Sequence, residues 1–207
     1  MKKKTLRQRI LFITLNASLL AIIFVLAFIP YVGYVPLGFA TITTIPTLVI
    51  LISLLFDWPE TLIASLGYGL SSFVISLLGA SDPFNIQFQN PLISIGARLT
   101  FGVALIVLVE LLKKINKNNN PFIMGGFSAL ASLVHSFLVF LFFIVFQQGY
   151  SEGILSVLFV IFGIGCLIEA VLSAVLVPLL YRYLNKPATN LHHNLTMKNE
   201  EEENTNE

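Results

Sequence analysis

The stretch FQNPLISIGARLTFGVALIVLVELLKK, residues 88–114, decides the fold. From Leu92 to Leu112 it is an apolar run interrupted by Arg98. A helix needs about 20 such residues to cross a bilayer. An arginine at the centre of such a helix costs about 2.5–3.5 kcal/mol on insertion scales, so it must face a partner or a polar cavity. Arg98 lies about seven residues in, about 10 Å down the axis. That depth exceeds an interfacial anchor, although a long side chain can snorkel upward. Two readings follow. Arg98 is a structural arginine satisfied by loop carbonyls or Asp82, or it is a ligand for an anionic or polar solute.

The rest of the chain is built like this stretch. Of its 207 residues, 56% are hydrophobic and 11% charged, and the mean hydropathy is +0.86. Soluble domains carry about 25% charged residues, so the bilayer is the natural solvent for this composition. The formal net charge of +1 gives no case for nucleic acid, which needs clustered Lys and Arg on a soluble face. A single cysteine, Cys166, excludes an intrachain disulfide and a thiolate metal cluster. No metal-ligand motif such as H-E-x-x-H occurs, and no G-x-x-x-x-G-K-[ST] loop for ATP.

Six apolar segments are expected to be helices: Ile10–Ile29, Ile42–Phe56, Thr61–Leu78, Leu92–Leu112, Phe122–Phe146 and Ile154–Leu184. The second is short, at about 15 residues or about 22 Å. Either the Thr41–Thr44 stretch extends it or it is buried among its neighbours. Lys and Arg cluster in the head MKKKTLRQR, in KKINKNNN (113–120), and at Arg182 and Lys186. The alternate loops YVGYVPLGFAT, GASDPFNIQFQN and FQQGYSEG carry none. The positive-inside rule then predicts six transmembrane helices with both termini cytoplasmic. The fold class is all-α: a basic N-terminus at 1–9, a membrane domain at 10–186, and an acidic tail at 187–207 of disordered composition. The head and the run after it are not read as a cleaved signal, since the run is long for a signal's core and lacks a clear A-x-A site.

Two further ionisable residues interrupt the spans. Glu169 lies about 15 residues inside the sixth segment, roughly 22 Å from its outer end. His135 lies in the middle of the fifth. Arg98 is the shallowest of the three, so direct Arg98–Glu169 pairing needs tilt or a bridging group. Together the three point to a polar chamber. Gly67, Gly69, Ser71 and Ser72 in the third segment allow close helix approach. Tyr68 and Ser72 share a face, so they are also candidate pocket residues. Asn85, Gln87, Gln89 and Asn90 bring amides suited to a polar organic solute or simply to a solvated loop. In the first segment Ala17 and Ala21 form a small-xxx-small pair.

VPLGFATITTIPTLVILISLLF (35–56), GYGLSSF (67–73), QNPLISIGARLTFG (89–102) and IEAVLSAVLVPLLYRYL (168–184) stand in an order and spacing. In that arrangement the chain, over roughly residues 10–186, resembles the substrate-binding S component of energy-coupling factor (ECF) vitamin transporters, and most of all the branch that includes pantothenate transporters. The chain departs from the family at Ala97-Arg98, where Pro-Arg is frequent. It also departs at the turn Asp57–Glu60, and at His135, where an asparagine is common. The resemblance implies a bacterial cell-membrane protein, not an enzyme and without a cofactor. It implies that a vitamin, pantothenate first and riboflavin or another second, binds near the outer face beneath a capping first loop. The candidate substrate residues are Arg98, Asn90, Gln87, Asn85, Tyr68, Ser72, His135 and Glu169. It implies further that Ala17 and Ala21 face a partner transmembrane subunit, energised by two ATPase subunits. An intramembrane enzyme using Arg98, His135 and Glu169, or a purely structural membrane subunit, are the rival readings outside this class.

Overall fold

The computed structural model describes residues 6–29, 32–36, 41–79, 83–116, 120–146 and 152–196. Its longer helices, among the described residues, are α1 (Leu6–Phe28), α2 (Ile45–Leu55), α3 (Trp58–Gly79), α4 (Ala97–Ile115), α5 (Pro121–Phe146) and α6 (Glu152–Thr196). Five of these elements are long and apolar enough to cross a membrane. The chain is an all-α bundle of the multi-pass membrane type.

The surface pattern agrees with a lipid solvent. On α4, Val103, Val107 and Leu111 form an exposed apolar stripe, while Phe101, Leu105, Val109 and Leu112 turn inward. Buried positions are rich in hydroxyls instead: Ser65, Ser71, Ser72, Ser94, Ser128, Ser132 and Ser173 are all inside. Ser65, Ser71 and Ser128 return their hydroxyl to a carbonyl of their own helix, as Ser65 does to Thr61 at 2.8 Å. That satisfies the donor without a second helix.

Local chemistry sets the boundaries. Pro46 sits in the first turn of α2, where its missing N–H costs nothing. The Asn120 side chain accepts from the Phe122 N–H at 3.0 Å and opens α5 with Pro121 behind it. Asn90 does the same for the next element: its Oδ1 accepts from the Leu92 N–H at 3.0 Å. The turn that follows, Leu92–Gly96, is a wide π turn leading into α4. Single π turns recur at functional sites.

The second segment is corrected in one respect. Thr41–Thr44 does not extend α2. Thr41–Thr43 is a strand paired antiparallel with Tyr34–Pro36, with Tyr34 opposite Thr43. Helix α2 has 11 residues, about 16 Å at 1.5 Å each, roughly half the hydrocarbon thickness. It is buried by its neighbours, with Ile45, Val49 and Ile50 fully inside. Thr43 and Ile42 are β-branched and favour the strand. The last helix runs through Pro178 and Pro187 to Thr196, beyond the apolar segment that ends at Leu184. Residues 197–207 of the acidic tail lie outside the described residues.

Candidate functional site

The π turn brings Arg98 inward. Its Nη1 donates to the Ile93 carbonyl at 3.0 Å, within the same widened turn. The residue is 3% exposed. Its guanidinium carbon lies 4.5 Å from the Phe88 ring centroid and 5.2 Å from that of Tyr68. Both are within reach of a cation–π attraction. The Nε of Arg98 is buried and has no hydrogen-bond partner among the described residues. Of the two readings of Arg98, the carbonyl contact exists but uses only part of the guanidinium. Asp82, the other structural partner considered, lies outside the described residues.

Tyr68 is the centre of the arrangement. It is fully buried on α3. One side meets Arg98; the other meets His135, whose ring centroid is 5.5 Å away. His135 also packs edge-on against Phe101, 4.9 Å between centroids. Neither imidazole nitrogen has a hydrogen-bond partner among the described residues, although His135 is 4% exposed. Three residues before it on the same helix, the Ser132 hydroxyl is buried and unpartnered as well. Ser132 forgoes the helix carbonyl that Ser128 uses, where Oγ donates to Met124 at 2.8 Å.

The hairpin covers this cluster. The Tyr34 hydroxyl is buried beside Tyr68, Arg98, Ser72 and Ser71; the two serine hydroxyls lie close enough to act on it, but among the described residues none completes a well-formed hydrogen bond to it. Burial pushes the Tyr34 phenol well above its ordinary pKa of 10.0, and the nearby Tyr68 adds to that, while Arg98 opposes it. Tyr34 therefore stays a protonated donor across the physiological range.

Glu169, 8% exposed on α6, does not pair with Arg98. Its Oε1 accepts from the Thr43 N–H at 2.7 Å and from Thr43 Oγ1 at 3.0 Å. Its Oε2 accepts from Ser136 Oγ at 3.4 Å. The bridge foreseen between the two charges is Thr43 and Tyr68. Thr43 Oγ1 lies 3.3 Å from the Tyr68 hydroxyl. Since the single hydroxyl hydrogen of Thr43 goes to Glu169, Tyr68 is the donor to Thr43, and its ring in turn carries Arg98.

The other sequence candidates fall into two groups. Ser72 is buried next to Tyr34 and belongs to the cluster. Asn90 is committed to the helix start, with its Nδ2 reaching the Phe146 carbonyl only at 3.5 Å. Asn85 and Gln87 are half-buried in the segment before it, and neither is free. Ser94 beside Arg98 donates to the Phe88 carbonyl. Gln89 donates to the Ser76 carbonyl at 3.0 Å and ties this segment to α3. Ala17 and Ala21 are exposed on α1, on the side opposite Ile23 and Ala27, which face the bundle.

Tyr34, Thr43, Ser132 and Ser136 were not singled out from the sequence. A signal existed for two of them: Ser128, Ser132 and Ser136 recur every four residues and share one polar face of α5 with His135. Chemically, the cluster offers one permanent cation, a phenol and an imidazole beneath a hairpin. That set fits an anion with further hydrogen-bonding groups. No family model matches the chain, and no curated protein matches it.

Proposed function

We propose that this protein is the membrane S component of an ECF uptake transporter. Its substrate is a vitamin: pantothenate first, whose carboxylate suits Arg98, with riboflavin or another vitamin as the alternatives. One observation carries the reading. Arg98 is buried with its Nε unpartnered, in the same cluster as the unpartnered Tyr34 hydroxyl and the unpartnered imidazole of His135. Buried donors without acceptors cost about 1–3 kcal/mol each, more when charged. A ligand that supplies those acceptors recovers that energy on binding. A purely structural subunit has no use for the arrangement.

The reading orients the bundle. Lys and Arg at the head, in 113–120 and at the end of α6 lie in the cytoplasm, with six spans between them. The hairpin end then faces outward, where a vitamin arrives. In this arrangement Ala17 and Ala21 form the docking face for a transmembrane partner, and two ATPase subunits supply the energy. The absence of a Walker loop from the sequence fits that division of labour.

Equilibrium binding of pantothenate to the purified protein, without nucleotide or partner subunits, tests the reading. Saturable binding without turnover supports it. Binding of a flavin in its place moves the assignment to riboflavin. Turnover of a bound compound points to the intramembrane enzyme, and no vitamin binding at all points to the structural subunit.

A further inference from the structure

We infer that Glu169 is a positioning residue: it latches the hairpin to α6 and so holds the cap shut over Arg98, without itself touching the ligand. The proposal rests on the transporter reading only for what lies beneath the cap.

The geometry is specific. Both Oε1 hydrogen bonds come from one hairpin residue, Thr43, whose N–H and hydroxyl converge on it at 2.7 and 3.0 Å. Four residues on in each element the contact repeats, as Thr47 Oγ1 meets Ser173 Oγ at 2.7 Å. The strand end and α2 are thus fastened to α6 by two successive polar rungs. The upper rung is charge-assisted and the stronger of the two. Oε2 is engaged by Ser136 on α5. The carboxylate is turned toward the hairpin, while Arg98, Tyr34, Ser132 and His135 carry the unpartnered groups of the cluster.

The hairpin does not depend on Glu169 for its own shape. The Thr44 N–H donates to the Gly33 carbonyl at 3.1 Å, and Thr44 Oγ1 donates to the Val32 carbonyl at 2.7 Å. Breaking the latch therefore releases an intact hairpin from α6 and leaves the bundle folded. The latch also sets the polarity of the chamber. With Thr43 donating to Glu169, the Tyr68 hydroxyl donates to Thr43 and turns its own lone pairs to the cluster.

Amide hydrogen exchange on the purified, ligand-free protein tests the latch without reference to any vitamin. Glu169→Leu removes every acceptor at little cost in volume, and Thr43→Val keeps shape but loses the hydroxyl. The expected result is faster exchange at the described hairpin amides of Tyr34, Val35 and 41–43, by about 10-fold, the factor one charge-assisted hydrogen bond carries. Exchange in α3 and α4 stays unchanged. Glu169→Gln keeps an oxygen able to accept both Thr43 hydrogens, so it restores most of the protection. Stopped-flow binding of pantothenate to the same variants should show faster dissociation with little change in association. The double variant should be no worse than Glu169→Leu alone. Unchanged hairpin exchange in Glu169→Leu overturns the latch. So does a Thr43→Val protein with wild-type dissociation beside a Glu169→Gln protein that has lost binding, since that pattern marks a direct ligand contact. If the wild type binds no pantothenate, the vitamin assignment fails and the exchange result alone judges the latch.

Discussion

The guanidinium carbon of Arg98 lies 5.2 Å from the centre of the Tyr68 ring, and the residue after Tyr68 is the glycine on which the two helices touch. A Cβ built on Gly69 would stand 2.9 Å from the Ile95 Cα and 3.3 Å from the Ser94 carbonyl oxygen. Both are backbone atoms of the π turn and its surroundings, so neither can swing aside. The cation reaches the aromatic face because α3 has no side chain at that point.

Gly69→Ala is therefore expected to destabilise the protein by about 1–3 kcal/mol, the cost of overpacking a close contact. Gly126→Ala is the control, since nothing stands within 4 Å of a Cβ there. It should be neutral or stabilising by about 0.5–1 kcal/mol, because alanine is the better helix former. Melting temperatures of the two variants in the same detergent check this. Equal melting points would remove the close-approach argument.

His135 gives a second test. Its imidazole is buried between Tyr68 and Phe101 with no partner for either nitrogen. Replacing an unsatisfied polar group by an apolar one of similar size is close to neutral or stabilising. His135→Leu should keep or raise the melting temperature of the ligand-free protein and weaken vitamin binding about 5- to 10-fold, as loss of a hydrogen bond does. A lower melting temperature with unchanged affinity would make His135 part of the scaffold.

The exposed face of α1 bears on the partner. Ala17→Trp or Ala21→Trp should abolish uptake in cells while leaving vitamin affinity of the purified subunit within about 2-fold. Both side chains point away from the bundle, and bulk there blocks close helix contact. Normal uptake by both variants would show that docking uses another face.

Topology is checked by single cysteines in a Cys166→Ala background. A cysteine at Gln148 should react with an impermeant thiol reagent in intact cells, and one at Asn118 should not. Labelling at Asn118 would invert the proposed orientation and place the hairpin end inside.

Much of the bundle was legible because its signals are strong and local. Apolar runs such as Phe122–Phe146 match their helix, Pro121–Phe146, to within a residue. The hairpin was not legible. Its strands have three residues each, too few for alternation to show, and Thr41–Thr44 adjoins an apolar run that reads equally well as helix. The site was legible where a charge broke an apolar run, as at Arg98 and Glu169. The role of Glu169 was not, because its partner Thr43 lies 126 residues away in sequence. Thr43 itself is an ordinary threonine in a string of hydroxyl residues. Asn90, read from the sequence as a ligand amide, has its Oδ1 engaged as a helix cap. An asparagine before Pro-Leu carries that capping signal on its face.

The central claim is that Arg98 holds the carboxylate of a vitamin, and titration of pantothenate into purified Arg98 variants tests it most directly. Arg98→Ala removes charge-assisted hydrogen bonds worth about 1.5–3 kcal/mol, so affinity should fall roughly 10- to 150-fold. Arg98→Lys keeps the charge without the planar fork and should recover only part of the loss. The melting temperature of each variant, measured alongside, reports any structural role. A folded Arg98→Ala protein that binds pantothenate as tightly as the wild type, at a lowered melting temperature, would contradict the account and leave Arg98 as a strut of the bundle.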